Sequence, residues 1–221
     1  MNIILFGPPG AGKGTQANNI SIKFNLHKVS TGDMLREVIE QKTSEGNKIK
    51  STINRGSLVS DEIINNLISK VLSNKTFNNR LIFDGYPRNL SQAKSLDLML
   101  KKNNQKISRV LCLAVDKDTI IKRILGRESC SKCGVIFNKF FNPATELNHQ
   151  CGSKYLTYRS DDNDRTASSR FETYLQTTLP IIDFYKKQNL FTEINGKQEI
   201  NQIFEQLRGI LTSLEAWLYE F

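Results

Sequence analysis

The chain has 221 residues, of which 38% are hydrophobic and 9% aromatic, enough to bury a core in one domain with inserts. No apolar run approaches the length of a membrane span, and the chain opens without a basic and apolar leader, so we expect a cytoplasmic protein with no membrane partner. The formal charge of +9, from 31 Lys and Arg against 22 Asp and Glu, suits an anionic ligand such as a nucleotide or a nucleic acid.

The first predicted elements surround a glycine-rich loop. The apolar run 2–6 predicts a buried strand. The helix after the loop has apolar residues at helical spacing, which are Ala17, Ile20, Ile22 and Phe24. Between strand and helix stands GPPGAGKGT, where backbone N–H groups and a helix N-terminus can bind phosphate oxygens and Lys13 adds a positive charge. Most such loops have Ser or Thr after this Lys, whereas this chain has Gly14.

The remaining elements continue the alternation of strands and helices. A short strand in 27–33 leads into a helix that Ser30, Thr31 or Asp33 can cap. Gly56 breaks the next helical stretch. The helix after this break is capped by Ser60 and has the apolar face Ile63, Ile64, Leu67, Ile68 and Val71. Three more strands are predicted in 81–83, 109–116 and 190–195.

This order of elements predicts the fold class α/β, an open parallel sheet covered by helices on both faces. Ligands of such sheets bind beyond the carboxyl ends of the strands. The conspicuous turns of this sequence fall there, in 7–15, 30–33, 84–88 and 195–198. We therefore expect one binding site built from these four turns.

Six segments occur in a characteristic order, namely GPPGAGKGTQ, STGDMLR, RGSLVSDE, DGYPRNLSQA, RILGRESC and YRSDDNDRTASSRFETY. In order and spacing the chain resembles the adenylate kinases of the long-lid bacterial type, from residue 1 to about 205. The resemblance implies a P-loop three-layer sandwich with a parallel sheet, a helical AMP-binding insert and a small β-rich lid. The implied divisions are a core of 1–29, 60–126 and 164–221, an AMP-binding insert at 30–59, and an ATP lid at 127–163.

The resemblance also implies a reaction, the reversible Mg²⁺-dependent conversion of ATP and AMP into two ADP by a monomer. A Gly at position 14 is usual in that family, where phosphate oxygens and water hold the magnesium. Asp84, at the end of a predicted strand, is then expected to anchor this water shell.

The chemistry can also be argued from the residues. Transfer between two phosphates needs alignment and neutralisation of negative charge rather than a strong base. Six arginines, each within one of these motifs, are candidates for this task, namely Arg36, Arg88, Arg123, Arg127, Arg159 and Arg170. The only histidines are His27 and His149, so imidazole acid–base catalysis is not supported.

By resemblance, each group of residues has an expected role. The catalytic residues are Lys13, Arg88, Arg123, Arg159 and Arg170. ATP contacts are expected from Gly10, Ala11, Gly12, Lys13, Gly14, Thr15, Arg127, Ile136, Phe137 and Lys197. AMP contacts are expected from Thr31, Arg36, Ser57, Leu58, Val59, Gly85, Arg88, Gln92, Arg159 and Arg170, with Gln92 reading the base edge. Asp161 and Asp162 either orient lid arginines or are ordinary acids at a helix start.

The lid departs from the family pattern at its cysteines. CSKCG is half of a zinc knuckle, with Cys130 and Cys133 on a tight turn. In the second half only Cys151 matches, because Asn148 stands where zinc-binding relatives have the other Cys. A structural zinc is expected from these three thiols, with His149 or Asn148 as fourth ligand; the alternative is a lid held by polar contacts. Cys112 is interpreted as a buried core residue.

Two other function classes stay open at this point. One is a different nucleoside monophosphate kinase, for UMP/CMP, GMP or dTMP, because base preference depends on few pocket positions. The other is a zinc-containing nucleic-acid binder, suggested by the charge and the knuckle. Against the latter, the lid has no basic and aromatic surface beyond Lys139, Phe140 and Phe141, and we expect no nucleic acid partner. The apolar tail 214–221 is expected to pack on the core or self-associate.

Overall fold

A parallel sheet carries the fold. This computed structural model describes residues 1–219, with side chains to residue 216. Within that part the strands are β1 (Asn2–Phe6), β2 (His27–Ser30), β3 (Leu81–Asp84), β4 (Arg109–Ala114), β5 (Arg127–Cys130), β6 (Ile136–Asn138), β7 (Leu156–Thr157) and β8 (Phe191–Asn195). Five of them pair in parallel in the order β2-β3-β1-β4-β8, and β6-β5-β7 form a small antiparallel sheet. The strands predicted from the sequence for the central sheet are confirmed.

Helices connect these strands. They are α1 (Lys13–Phe24), α2 (Thr31–Glu40), α3 (Ser44–Asn54), α4 (Asp61–Leu72), α5 (Leu90–Lys102), α6 (Lys117–Leu125), α7 (Asp164–Thr173), α8 (Ile181–Lys186) and α9 (Ile200–Tyr219). A π-helical turn, Tyr174–Thr178, follows α7 directly, and short 3₁₀ turns occur at Lys75–Phe77 and Ser153–Tyr155. Leu214, the first residue of the apolar tail, packs on the core. The side chains of 217–221 lie outside the described part of the chain, so the packing of the rest of the tail stays a prediction.

Each face of the sheet has its own core because strand side chains alternate. Ile3 and Leu5 of β1 face one side, where they pack with the buried residues Ala17, Ile20, Leu207 and Leu211 of α1 and α9. Ile4 and Phe6 face the other side, where they pack with residues of α4, α5 and α8 such as Ile68, Leu96 and Tyr185. Cys112 is buried in this second core, as predicted, and burial raises the pKa of its thiol to about 11.

Two details of the predicted helices are wrong. The sequence pattern puts Ile22 on the apolar face of α1, yet its side chain is 83% exposed. Residues two apart on a helix point about 200° apart, so the burial of Ile20 directs Ile22 to solvent. Ser60 is the N-cap residue of α4 by position, but its side chain makes no capping hydrogen bond. Ser30 does cap α2, with its hydroxyl accepting from the Asp33 N–H at 3.2 Å.

The strand register of the central sheet brings the carboxyl ends of neighbouring strands together. Leu5 of β1 is opposite Asp84 of β3, and Phe6 is opposite Cys112 of β4. Ser30 at the end of β2 is also opposite Asp84. The turns that follow β1, β2 and β3 therefore start side by side along one edge of the sheet.

Candidate active site

A cavity of about 350 Å³ opens at this carboxyl edge of the sheet. The four turns predicted to meet all contribute to its lining, together with residues of α7 and of the small antiparallel sheet. Every residue expected to contact nucleotide lines it, which brings together Gly10, Ala11, Gly12, Lys13, Gly14, Thr15, Thr31, Arg36, Ser57, Leu58, Val59, Asp84, Gly85, Arg88, Gln92, Arg123, Arg127, Ile136, Phe137, Arg159, Arg170 and Lys197. The structure thus supports their common location, while their individual roles remain predictions.

The loop between β1 and α1 has the shape of a phosphate-binding turn. Gly12 caps α1 with φ 93°, a left-handed conformation that residues with a side chain rarely adopt. The Lys13 ammonium lies along this loop and donates to the carbonyls of Gly7 at 2.8 Å and Pro8 at 2.7 Å. Burial lowers the pKa of Lys13 to about 8, although the nearby Asp84 opposes the shift. The loop therefore places a desolvated cation at the N-terminus of a helix, a good position for binding an anion.

Gly14 and Asp84 face each other across the floor of this loop. A Cβ built on Gly14 would lie 3.4 Å from the Asp84 carboxyl oxygen Oδ2. Asp84 is the last residue of β3, so the sheet fixes its position. A carboxylate beside the phosphate loop is a suitable anchor for the water ligands of Mg²⁺, which usually keeps several waters in nucleotide sites.

Six arginines converge on the cavity from different elements. Arg36 comes from α2, Arg123 from α6, Arg127 from β5 and Arg170 from α7, whereas Arg88 and Arg159 lie in turns. Arg88 donates from Nε to the Gly85 carbonyl at 2.7 Å, and Arg123 donates to the Gly196 carbonyl at 2.8 Å. These two backbone contacts orient the guanidinium groups of Arg88 and Arg123 in the cavity.

Asp161 and Asp162 pair with arginines of the site. Asp162 accepts from Arg127 Nε at 2.7 Å and is almost fully buried, and Asp161 forms an ion pair with Arg170. Asp162 also lies 3.7 Å from Arg170, so one acidic pair joins β5 to α7. Their prediction as residues that orient arginines is confirmed geometrically, because α7 starts only at Asp164 with Asn163 as its cap.

The electrostatics of the cluster favour an anionic ligand. Burial lowers the pKa of Arg159 to about 10, and repulsion from Arg127 and Arg36 acts in the same direction. The pKa of Arg170 is lowered to about 9 by burial and then by Arg127, Arg88, Arg159 and Arg36. Crowded guanidinium groups oppose each other's charge, and an incoming phosphate relieves this repulsion.

Sequence reasoning missed several residues of the lining. Tyr174 and Thr178 lie on the π-helical turn, and Thr178 Oγ1 donates to the Arg88 carbonyl at 2.7 Å. Phe141 lies under the Arg123 guanidinium at 5.4 Å from the ring centroid. Neither contact has a sequence signal, because π-turns are not marked by a residue pattern and Phe141 stands in an irregular segment.

The lid cysteines form a compact cluster with a histidine. Ligand atoms of Cys130, Cys133, His149 and Cys151 all lie within 4.8 Å of one another. The His149 Nε2 is buried without a hydrogen-bond partner among the described residues. By contrast, Asn148 uses its side chain in a turn, accepting from Thr145 N at 2.8 Å and donating to the Pro143 carbonyl at 3.0 Å. This donor set suits tetrahedral zinc, and the geometry favours His149 over Asn148 as fourth ligand.

Two of the thiols differ in acidity. Burial by itself would raise the pKa of the Cys130 thiol. Hydrogen bonds outweigh this effect and lower the pKa to about 6; they come from the backbone N–H groups of Cys133 and Lys132 and from the His149 side chain. The pKa of Cys151 is raised to about 11 by burial and by its two neighbouring thiols. Because the three thiols are close together, the protonation of one affects the others. This is expected at a metal site, where the bound metal takes the place of the thiol protons.

A phosphate-binding loop at the carboxyl edge of a parallel sheet, faced by converging arginines, defines a P-loop phosphotransferase. The comparisons with known proteins agree. The adenylate kinase family model matches residues 5–190. An adenylate kinase of Pelagibacter ubique is 47% identical over 211 residues, covering 96% of this chain and 99% of the relative. Those of Archaeoglobus fulgidus (38% over 218 residues, 98% and 100%) and Alkaliphilus oremlandii (41% over 216 residues, 97% and 98%) are also similar.

The chain belongs to the adenylate kinase family. It is therefore an enzyme that transfers phosphoryl groups, and the alternative of a zinc-containing nucleic-acid binder is not favoured. No helix in residues 1–219 combines the length and apolar character needed to span a bilayer.

Proposed function

We propose that this protein catalyses the reversible transfer of a phosphoryl group from ATP to AMP, giving two ADP, with Mg²⁺ as cofactor. The observation that carries the proposal is the convergence of six arginines and the phosphate-loop residue Lys13 on a single cavity. The acceptor phosphate is already an oxyanion, so the reaction needs positioning and charge neutralisation more than a base. The structure likewise gives no role to His27 as a base in the cavity. Its ring stacks on that of Phe77 with 3.7 Å between centroids, and neither residue lines the cavity.

The phosphate loop is proposed to bind the phosphates of ATP. Its backbone N–H groups and the N-terminus of α1 would donate to the oxygens, and Lys13 would leave the loop carbonyls to contact the β- and γ-phosphates. The ATP base and ribose are assigned to Arg127, Ile136, Phe137 and Lys197, all of which line the cavity.

The acceptor side is proposed to hold AMP. Arg36 and Arg88 would bind its phosphate, because a planar guanidinium can donate to two oxygens at once. Thr31, Gly85 and the segment 57–59 would surround the base, which Gln92 would contact through its amide. Arg123, Arg159 and Arg170 are assigned to the phosphoryl group in transit between the two nucleotides.

Asp84 would hold water ligands of Mg²⁺, and the bound metal would supply positive charge that neutralises the phosphates. Asp84 fits this role because it faces Gly14 of the phosphate loop. No hydroxyl is available at position 14 to bind the metal directly.

The division into a core and two closing units is likewise a proposal. Helices α2 and α3 occupy most of the assigned insert 30–59, and the small antiparallel sheet lies in the assigned lid 127–163. Closing units exclude water from the reacting phosphates, which strengthens every charge contact there.

We also propose a structural zinc in the lid, held by Cys130, Cys133, His149 and Cys151. The buried Nε2 of His149, which has no hydrogen-bond partner among the described residues, supports this ligand set. When bound, zinc would tie the β5 turn to the segment that returns toward β7.

We further propose that the protein acts in the cytoplasm as a monomer, without nucleic acid or membrane partners.

A coupled assay tests the reaction. Purified protein with ATP and Mg²⁺ is offered AMP, GMP, UMP or CMP, and ADP formation should be fastest with AMP. Folded protein that forms no ADP from ATP and AMP would contradict the proposal. Faster turnover with one of the other monophosphates would instead reassign the acceptor.

A further inference from the structure

The side-chain amide of Gln92 is held at both of its ends. Its Oε1 accepts from the Arg88 backbone N–H at 2.7 Å, and its Nε2 donates to Asp61 Oδ1 at 2.7 Å. Gln92 is 2% exposed and lines the cavity. A glutamine amide has two N–H donors and two oxygen lone pairs, so one of each remains for a ligand.

The position of Asp61 is fixed by the N-terminal ends of two helices, α4 and α5. It is the first residue of α4, and its Oδ1 also accepts from Asn89 Nδ2 at 2.9 Å. Asn89 in turn caps α5, with its Oδ1 accepting from the Gln92 N–H at 2.8 Å. The carboxyl group of Asp61 is therefore fixed by the same turn that carries Gln92.

These contacts permit only one orientation of the Gln92 amide. A carboxylate oxygen offers only acceptors, and a backbone N–H is only a donor. Rotating the amide by 180° would place Oε1 against Asp61 Oδ1 and Nε2 against the Arg88 N–H. Two hydrogen bonds would be replaced by two repulsive contacts in a buried site, where such groups are costly to leave without partners.

We propose that Asp61 locks the Gln92 amide and thereby selects the base of the acceptor nucleotide. The fixed amide offers an acceptor and a donor in a set order. Adenine is complementary, because its N6 amino group donates beside a ring nitrogen that accepts. Hypoxanthine and guanine present the opposite order, an O6 acceptor beside an N1–H donor, and would require the reversed amide. The inference rests on the proposed assignment of Gln92 to the AMP base.

Asp61 acts as a positioning residue in this proposal. It is not part of the cavity lining, so it reaches substrate only through Gln92. A loss of stability at Asp61 would affect AMP and IMP equally, whereas loss of the lock changes their ratio. IMP is the sharpest probe because it differs from AMP only in the hydrogen-bonding pattern of the base.

The experiment compares AMP and IMP in wild type and three variants. Asp61→Ala removes the acceptor and lets the amide rotate. Asp61→Asn keeps an oxygen that the Asn89 amide holds in place. Glu62→Ala removes the adjacent exposed carboxylate as a control. The ratio of kcat/KM for IMP to that for AMP should rise about 10- to 100-fold in Asp61→Ala and stay within about twofold of wild type in the other two.

Calorimetric titration of AMP and IMP in the absence of ATP gives the same ratio from dissociation constants. If the wild type binds AMP but forms no ADP, the proposed reaction is wrong. The titration would still test whether Asp61 fixes the orientation of the Gln92 amide. If Asp61→Ala does not fold, Asp61→Ser replaces it, because Ser suits a helix start and its hydroxyl is too short to reach Gln92. If the ratio of the AMP to the IMP dissociation constant is unchanged in folded Asp61→Ala or Asp61→Ser, the proposal is overturned.

Discussion

Thr166 on α7 donates a hydrogen bond from Oγ1 to the backbone carbonyl of Asn54 at the end of α3, 3.1 Å away. Two further hydroxyls of α7 bind the next carbonyls, Ser169 to Arg55 at 3.1 Å and Thr173 to Gly56 at 3.3 Å. The last carbonyls of a helix have no partner within the helix, so α7 satisfies groups that would otherwise need water. Gly56, with φ 74°, permits this approach, because a Cβ there would lie 2.9 Å from the Ser169 hydroxyl.

Removing the first of these hydroxyls should weaken the binding of AMP. Thr166→Val keeps the shape of the side chain and loses one neutral hydrogen bond, worth about 1 kcal/mol. Since Ser57, Leu58 and Val59 follow this contact and line the cavity, KM for AMP should rise roughly fivefold while KM for ATP stays constant. Steady-state kinetics with each nucleotide varied in turn measures the difference.

Two variants control that experiment. Thr166→Ser keeps the hydroxyl and should behave as wild type, and Ser168→Ala changes the same helix at a residue that donates to none of the three carbonyls. A parallel change in both KM values for Thr166→Val would contradict a role specific to the AMP side.

Arg88→Ala should slow turnover by about 10²–10³, a loss of roughly 3–4 kcal/mol of transition-state stabilisation. The Arg88 side chain is exposed at the cavity, and its loss removes no core contact, so the melting temperature should stay near that of wild type. Arg208→Ala is the matched control, because Arg208 is exposed on α9 and pairs only with Glu205 in the described structure. Wild-type turnover in Arg88→Ala would remove this arginine from the site.

The lowered pKa of Lys13, about 8, predicts proton uptake when ATP binds. Burial favours the neutral amine in the nucleotide-free protein, whereas phosphate favours the ammonium. Above pH 8 the free protein has therefore lost a proton that the complex regains, and affinity for ATP should fall as the pH rises through 8. The same shift makes the folded state bind fewer protons than the unfolded chain between pH 8 and the ordinary Lys pKa, so this residue favours folding more as the pH rises there.

Calorimetry of ATP binding in two buffers of different ionisation enthalpy measures this uptake. It should approach one proton per ATP well above pH 8 and be small at pH 7. Lys13→Met should abolish the difference between the two pH values. Equal uptake by wild type at both pH values would show that Lys13 does not titrate in this range.

Zinc content should depend on His149 and not on Asn148. His149→Ala should lose metal or bind it more weakly, whereas Asn148→Ala should keep it, because Asn148 only closes a turn. A chelator should lower the melting temperature while activity at low temperature largely survives, since no ligand coincides with an arginine of the cavity. Less than about 0.2 zinc per chain, without uptake of added zinc, would rule out the metal site.

The sequence alone determined the order of elements and the edge of the sheet where ligands bind. Alternation of apolar runs with helical patterns is a local property, and strands joined by helices must pair in parallel. The sequence therefore predicts the location of the turns after β1, β2 and β3, and the structure confirms it. The glycines of the phosphate loop were equally readable, because their backbone conformation excludes most other residues.

Only the tertiary structure decided which side chains meet across long distances in the chain. Ile22 fits a helical pattern loosely, and only the packing of α1 against α9 shows that it faces solvent. The preference for His149 over Asn148 follows from where the lid folds each side chain, although the two are neighbours. Asp61 and Gln92 are 31 residues apart, and no local pattern records their contact. Side-chain hydrogen bonds depend on angstrom-scale placement, which the folded chain as a whole supplies.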